Sequence, residues 1–336
     1  MKELESLNVG GKRVFLRGDI DVPIINGAVE DTQRLQYLIP TIRFLRSKNS
    51  KVLLTGHIGR PENNRDFSLS TKPLLPILSN LLDIDVVQFK NFESVRLSPG
   101  TLGLLENLRF WEGEEKNDEN FTRQLANLAD VYVDEAFAAS HREHASIVGV
   151  PRLLPHAAGF HFQKEVEILS RVLKNPKRPQ VVIVGGVKLE TKLPVIESLS
   201  KTADWVLVGG ELAGNIKSKQ IQLASNVVVA KLKNDGKDID EKSIEEFCNK
   251  ISQASQIILN GAMGLFEEDQ HAEGTREVVL AVANSNAEKI AGGDATIFAL
   301  KKFGFLAKMD WVSSGGGAML EFLSGKELPG IKALES

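Results

Sequence analysis

The strongest constraint on this chain is an alternation that runs along its whole length. Short apolar, β-branched runs at 14–16, 52–55, 102–105, 131–133, 181–184, 206–208, 227–229, 257–259 and 311–313 are separated by longer segments of helical spacing. Nearly unbroken hydrophobicity over a few residues is the pattern of strands buried on both faces, as in parallel sheets covered by helices. Helical patterns over 32–45 and 119–129 supply the crossovers. The expected fold is therefore α/β, with doubly wound, Rossmann-like parallel sheets.

At 336 residues the chain exceeds the roughly 250–300 beyond which one core usually divides, so two domains are expected. Val150-Pro151 and Leu154-Pro155 interrupt the alternation. A helical pattern follows over 162–173, with Val166, Leu169, Val172 and Leu173 on one face, and Asn175-Pro176 and Arg178-Pro179 stop it. This predicts a first domain over 1–155, a linker helix within 156–178 and a second domain over 179–319.

The formal net charge of −3 gives no field for nucleic acid or a membrane surface, so any anion site must be local. No run approaches the ~20 apolar residues of a spanning helix, and residues 1–13 lack the apolar stretch of a signal peptide. The single cysteine, Cys248, rules out an internal disulfide and fits a reducing, cytoplasmic setting; its neighbours Ile244, Phe247 and Ile251 mark it as a packing residue.

The ends of the apolar runs differ between the halves. In the first half they carry charge: Arg17-Gly18-Asp19, His57-Ile58-Gly59-Arg60, Asn107-Leu108-Arg109 and, after 131–133, His141-Arg142-Glu143-His144. Ligands of open α/β sheets bind beyond the carboxyl ends of the strands. Arg17, Arg60, Arg109 and Arg142 with His57 thus predict a site for phosphate or carboxylate, which guanidiniums hold with fixed donors. Asp19 and Asp21, two apart on an extended segment, point the same way; they either accept from a substrate hydroxyl or neutralise the arginines.

In the second half the ends carry glycine: Gly185-Gly186-Val187-Lys188, Gly209-Gly210-Glu211, Asn260-Gly261-Ala262-Met263-Gly264, Gly292-Gly293-Asp294 and Ser314-Gly315-Gly316-Gly317. Glycine lets backbone approach phosphates, and a following helix N-terminus adds donors, so a nucleotide site is expected here. Lys188 and Lys192 share a helix face beside it, Asp294 is placed for Mg²⁺ or as a helix N-cap, and Glu267 for ribose hydroxyls or solvent. The P-loop signature and the dinucleotide fingerprint are both absent, the latter arguing against an NAD-dependent oxidoreductase. His141 and His144 lack an obvious third partner for zinc.

Taken in order, these pieces resemble the phosphoglycerate kinase family across nearly the whole chain. The matching stretches include Arg17-Gly18-Asp19-Ile20-Asp21-Val22-Pro23, Gly56-His57-Ile58-Gly59-Arg60-Pro61, Leu105-Glu106-Asn107-Leu108-Arg109-Phe110, Gly185-Gly186-Val187-Lys188, Asn260-Gly261-Ala262-Met263-Gly264 and Gly292-Gly293-Asp294. The resemblance implies two hinge-bending domains and reversible transfer between 1,3-bisphosphoglycerate with MgADP and 3-phosphoglycerate with MgATP in glycolysis. It implies that Arg17, Asp19, Asp21, Arg34, His57, Arg60, Arg109 and Arg142 hold the glycerate. Gly185, Gly186, Lys188, Lys192, Gly209, Gly210, Asn260, Glu267, Gly292, Gly293, Asp294, Gly315 and Gly316 would hold the nucleotide, with Asp294 on the metal. Arg34 and Lys188 would stabilise the migrating phosphoryl group. The segment 320–336 would return to the first domain, and the chain would act as a monomer.

The chain departs from the family at Asp21 (usually Asn), Asp134-Glu135 (usually Asn-Asp), Thr191 (usually Asp), Glu211 (usually Gly), Ala262 (usually Pro) and Ala295 (usually Thr). It is also short after Ile216, which predicts a more open and less base-selective nucleotide site. A non-catalytic, ligand-binding relative is the alternative that these departures suggest.

Overall fold

The computed structural model describes residues 1–61 and 66–335. It divides the chain into two compact units, one of Met1–Glu167 with Glu327–Ser336 and one of Ile168–Lys326. The helix Phe160–Lys174 carries the boundary within it.

The first unit is built on six parallel strands: β1 (Arg13–Gly18), β2 (Lys51–Thr55), β3 (Val86–Phe89), β4 (Leu102–Leu105), β5 (Val131–Glu135) and β6 (His156–Ala158). Their order is β3-β4-β2-β1-β5-β6. From β1 the chain moves outward through β2, then crosses back to pair β5 on the other side, Val14 beside Val52 and beside Val131. The carboxyl ends of β1 and β5 therefore flank the point where the winding reverses, which is where open sheets bind ligands. Val14, Leu16, Val52, Leu54, Leu102, Leu104, Val131 and Val133 fill the core against Leu35, Leu38 and Ile42 of the helix Gln33–Ser47.

The second unit has its own six parallel strands: β7 (Gln180–Val184), β8 (Trp205–Val208), β9 (Val227–Val229), β10 (Gln256–Asn260), β11 (Glu288–Gly292) and β12 (Trp311–Ser313). Their order, β9-β8-β7-β10-β11-β12, is the doubly wound arrangement whose switch point lies between the first and fourth strands. Here that means Val184 and Asn260, which are directly paired. Four helices begin just past this edge, at Leu189–Leu199, Gly210–Ser218, Asp294–Lys302 and Gly316–Leu323.

In the first unit the closing segment is tied down where Gly330 N donates to Ser140 O at 2.8 Å, whereas residues 320–326 belong to the second unit. Ser336 lies outside the described residues. Among those described, no helix is long and apolar enough to cross a membrane.

Candidate active site

In the first unit the carboxyl edge of the sheet gathers positive charge. Arg17 is the next-to-last residue of β1 and is fully buried. Its guanidinium donates through Nη1 to Gly18 O at 2.6 Å, through Nε to Ser146 Oγ at 2.9 Å and through Nη2 to His57 Nδ1 at 2.9 Å. Arg109 sits on the turn Leu108–Phe110 after β4, capped by Asn107, whose Oδ1 accepts from Arg109 N while its Nδ2 donates to Ile58 O and Leu69 O. That one buried amide thus fixes both the arginine turn and the loop carrying His57 and Arg60. Arg109 Nη1 donates to Gly59 O, and its Nε lies 3.0 Å from Glu115 Oε1.

The charges sense one another strongly. Burial first, then Arg142, hold Arg109 down to about 10. Arg142 is lowered by burial and by Arg60, with Asp21, Glu115 and Arg17 also within reach. His57 is pushed well below its usual range by burial, Arg17 and Arg109, and His144 to about 3 by burial, Arg109 and Arg17. Both imidazoles are therefore neutral at pH 7 and the positive charge is carried by arginine. A cup that suppresses protonation of its own histidines is one that favours a bound anion.

The two aspartates do different things. Asp21 Oδ1 accepts from Gly59 N at 2.8 Å and Oδ2 lies 3.6 Å from His57 Nε2. Asp19 is buried, which raises its pKa against the pull of Arg34. Arg34, on the first turn of its helix, donates to Asp21 O at 2.8 Å and lies 3.5 Å from Asp19 Oδ1.

In the second unit the glycine turns are stitched to one another by Asn260. Its Nδ2 donates to Gly292 O at 2.8 Å and Gly316 O at 3.1 Å, and its Oδ1 accepts from Lys192 Nζ at 2.8 Å. Lys192 Nζ also donates to Gly185 O at 2.8 Å. One side chain at the end of β10 thereby holds the loops after β7, β11 and β12. Gly261 N donates to Thr296 Oγ1 at 2.6 Å, and Gly210 N to Met263 O at 3.0 Å, extending the lattice. The loops are so close that a Cβ on Gly185 would overlap Ala262 O, and one on Gly316 would overlap the Gly293 backbone. Gly293 itself has φ 99°, open to glycine and strained for other residues. The result is a shelf of bare backbone below helix N-termini, suited to phosphate oxygens.

The lysines expected to share one task are separated. Lys188 is the exposed N-cap of its helix, whereas Lys192 turns inward, and burial brings its pKa down to about 8. Asp294 is exposed and occupies the first helical position; the N-cap is Gly293, so the capping role expected for Asp294 is corrected. Glu267 is an exposed loop residue. Among the described residues no three His, Cys, Asp or Glu groups gather as a metal cage, and His144 instead faces Glu114, 3.8 Å from Oε1. Sequence reading missed Glu114: within Glu112–Glu115 it looks like one acid of a solvated run, yet it is fully buried behind Arg17.

The profile of the family described as "Phosphoglycerate kinase" matches residues 4–234 and 215–326. A phosphoglycerate kinase of Finegoldia magna is 37% identical over 390 aligned residues, covering 99% of each chain. One of Pelotomaculum thermopropionicum is 38% identical, covering 99% of this chain and 98% of its own. The phosphoglycerate kinase structure from Coxiella burnetii superposes with TM-score 0.84 at 32% identity over 99% of this chain and 98% of that one. That from Pyrococcus horikoshii gives 0.87 at 29% identity over 100% and 98%. The Finegoldia alignment runs over 390 positions against 336 residues here, so this chain lacks segments its relative carries.

Proposed function

This chain belongs to the phosphoglycerate kinase family and is a phosphotransferase of that reaction, and we propose that its two units divide the ligands between them. The first unit takes the glycerate in the cup of His57, Arg60, Arg109 and Arg142 laid over the buried Arg17, with Asp19, Asp21 and Arg34 at its rim. The second takes ATP or ADP on the shelf of Gly185, Gly186, Gly209, Gly210, Gly292, Gly293, Gly315 and Gly316, framed by Asn260, Lys188, Lys192 and Glu267. The observation that carries this reading is that buried Arg17 and Arg109 meet the His57–Gly59 loop at the carboxyl edge of the first sheet, Arg17 Nη2 donating to His57 Nδ1 at 2.9 Å and Arg109 Nη1 to Gly59 O.

Transfer from ATP attaches the carboxylate oxygen of 3-phosphoglycerate to the γ-phosphorus as the bond to ADP breaks. The nucleophile is already ionised, so no base is required and neutral His57 and His144 are no handicap. What the chain must supply is position and charge: Arg34 and Lys188 stabilise the migrating group, and a closing step brings the ligands together and expels water. Mg²⁺ fits a single exposed carboxylate at Asp294 better than a protein cage, because it keeps waters and binds phosphate oxygens. It would enter with the nucleotide and neutralise phosphate charge. We further place the enzyme in the cytoplasm, acting as a monomer.

Titration calorimetry tests the division of ligands. Arg109→Ala is expected to weaken 3-phosphoglycerate binding at least about tenfold, the scale of a lost charge-assisted contact, and leave ATP binding unchanged. Lys192→Ala is expected to do the reverse. Loss of both ligands in either variant, with the fold intact, would refute it.

A further inference from the structure

Arg17 is 0% exposed, so its guanidinium underlies the cup instead of standing at its surface. Every donor–acceptor role around it is forced. A guanidinium only donates, so the 2.9 Å contact from Nη2 makes His57 Nδ1 the acceptor. Neutral His57 then carries its proton on Nε2, the nitrogen facing Asp21. On the other side, Ser146 Oγ accepts from Arg17 Nε, so its single hydroxyl proton goes to Glu114 Oε1 at 2.5 Å. Ser146 N donates to Glu114 Oε2 at 3.0 Å, and Tyr132 Oη donates to Ser146 O at 2.8 Å, locking the serine in place. Glu114 is likewise 0% exposed. Arg17 thus donates both ways, through Nε to Ser146, which passes its own proton to the buried Glu114, and through Nη2 to His57, whose remaining N–H is on Nε2.

We propose that Arg17 is a positioning residue, held by Glu114 through Ser146, that fixes His57 in its Nε2–H tautomer for donation to the anionic substrate. The inference rests on His57 being a substrate contact, as above. It makes His57 a neutral donor of fixed direction, and it gives the buried acid of an otherwise exposed run a task in the site.

Long-range ¹⁵N–¹H NMR of the imidazoles in the full chain reads the tautomer without reference to activity. At pH 7 wild-type His57 is expected to show the Nε2–H pattern. Arg17→Lys, which keeps the charge and loses the fork, should give a mixture of tautomers. Ser146→Ala should give a smaller shift in the same direction that Ser146→Thr restores. In parallel, the KM for 3-phosphoglycerate should rise about tenfold in Arg17→Lys, with kcat changed less than about twofold and the KM for ATP unaltered. A wild-type His57 that is cationic or protonated on Nδ1 would overturn the proposal. So would an unchanged tautomer in both Arg17→Lys and Ser146→Ala, the latter serving if the lysine variant does not fold. A shifted tautomer with an unaltered KM would uphold the positioning and overturn the substrate role of His57 on which it rests.

Discussion

Replacing Asn260 with alanine removes the one side chain that joins three loops of the nucleotide shelf. Two donated bonds, to Gly292 O and Gly316 O, and one accepted from the Lys192 ammonium are lost together. Each neutral bond contributes about 1 kcal/mol and the charged one about 1.5–3 kcal/mol, with orphaned buried groups costing more. Gly292 and Gly316 are buried, so water does not replace the lost bonds and we expect a loss of about 4 kcal/mol in the second unit. For a unit of this size that lowers its transition by roughly 8–16 °C. Calorimetry of the full chain reads this, and the KM for ATP should rise with it because Gly185, Gly292 and Gly316 lose their common tie. Asn260→Asp should be at least as damaging, since a carboxylate would face two carbonyl oxygens. A shift under about 2 °C with unchanged ATP kinetics would show that the loops are held by something else.

Gly316→Ala should lower stability by about 2–4 kcal/mol, because its Cβ would overlap the backbone at Gly293; urea unfolding checks this, and a loss under about 0.5 kcal/mol would contradict it. Asp134 is raised by burial to about 7, above its unfolded value, so the folded state holds the proton longer and stability should fall as pH rises from about 4 through 7. Asp134→Asn should remove that fall and be more stable at pH 8 by on the order of 2 kcal/mol; parallel pH profiles for the two proteins would refute the assignment. The link between the helix Gly210–Ser218 and β9 is short, so the ratio of KM for GTP to that for ATP should be smaller than in a full-length relative, and an equal ratio would count against an open base pocket.

Much of this was legible in the sequence because parallel strands buried on both faces announce themselves as unbroken apolar runs. The charged ends of 14–16 and 52–55 and the glycine ends of 181–184 and 257–259 could be assigned to sheet edges on the same grounds. Three strands of the two sheets were not visible: Glu288–Gly292 opens on a charged pair, Glu288 and Lys289, that masks its short apolar end. Val86–Phe89 is an edge strand with Val87 exposed, and His156–Ala158 has three residues among prolines, too short for a period. The direction of a side chain was also hidden: spacing puts Lys188 and Lys192 on one face, but the pull of Asn260 and the Gly185 carbonyl turns only Lys192 inward. Glu114 shows the same limit, since its burial comes from residues 32 positions away at Ser146.

The most direct measurement is ATP consumption by the purified chain with Mg²⁺, with and without 3-phosphoglycerate. Consumption should require the glycerate and fall at least about 10³-fold in both Arg34→Ala and Lys188→Ala, as when a charge meeting the transition state is removed. ATP turnover indifferent to 3-phosphoglycerate, or wild-type kcat in either variant, would contradict a phosphoryl transfer stabilised by one cation from each unit.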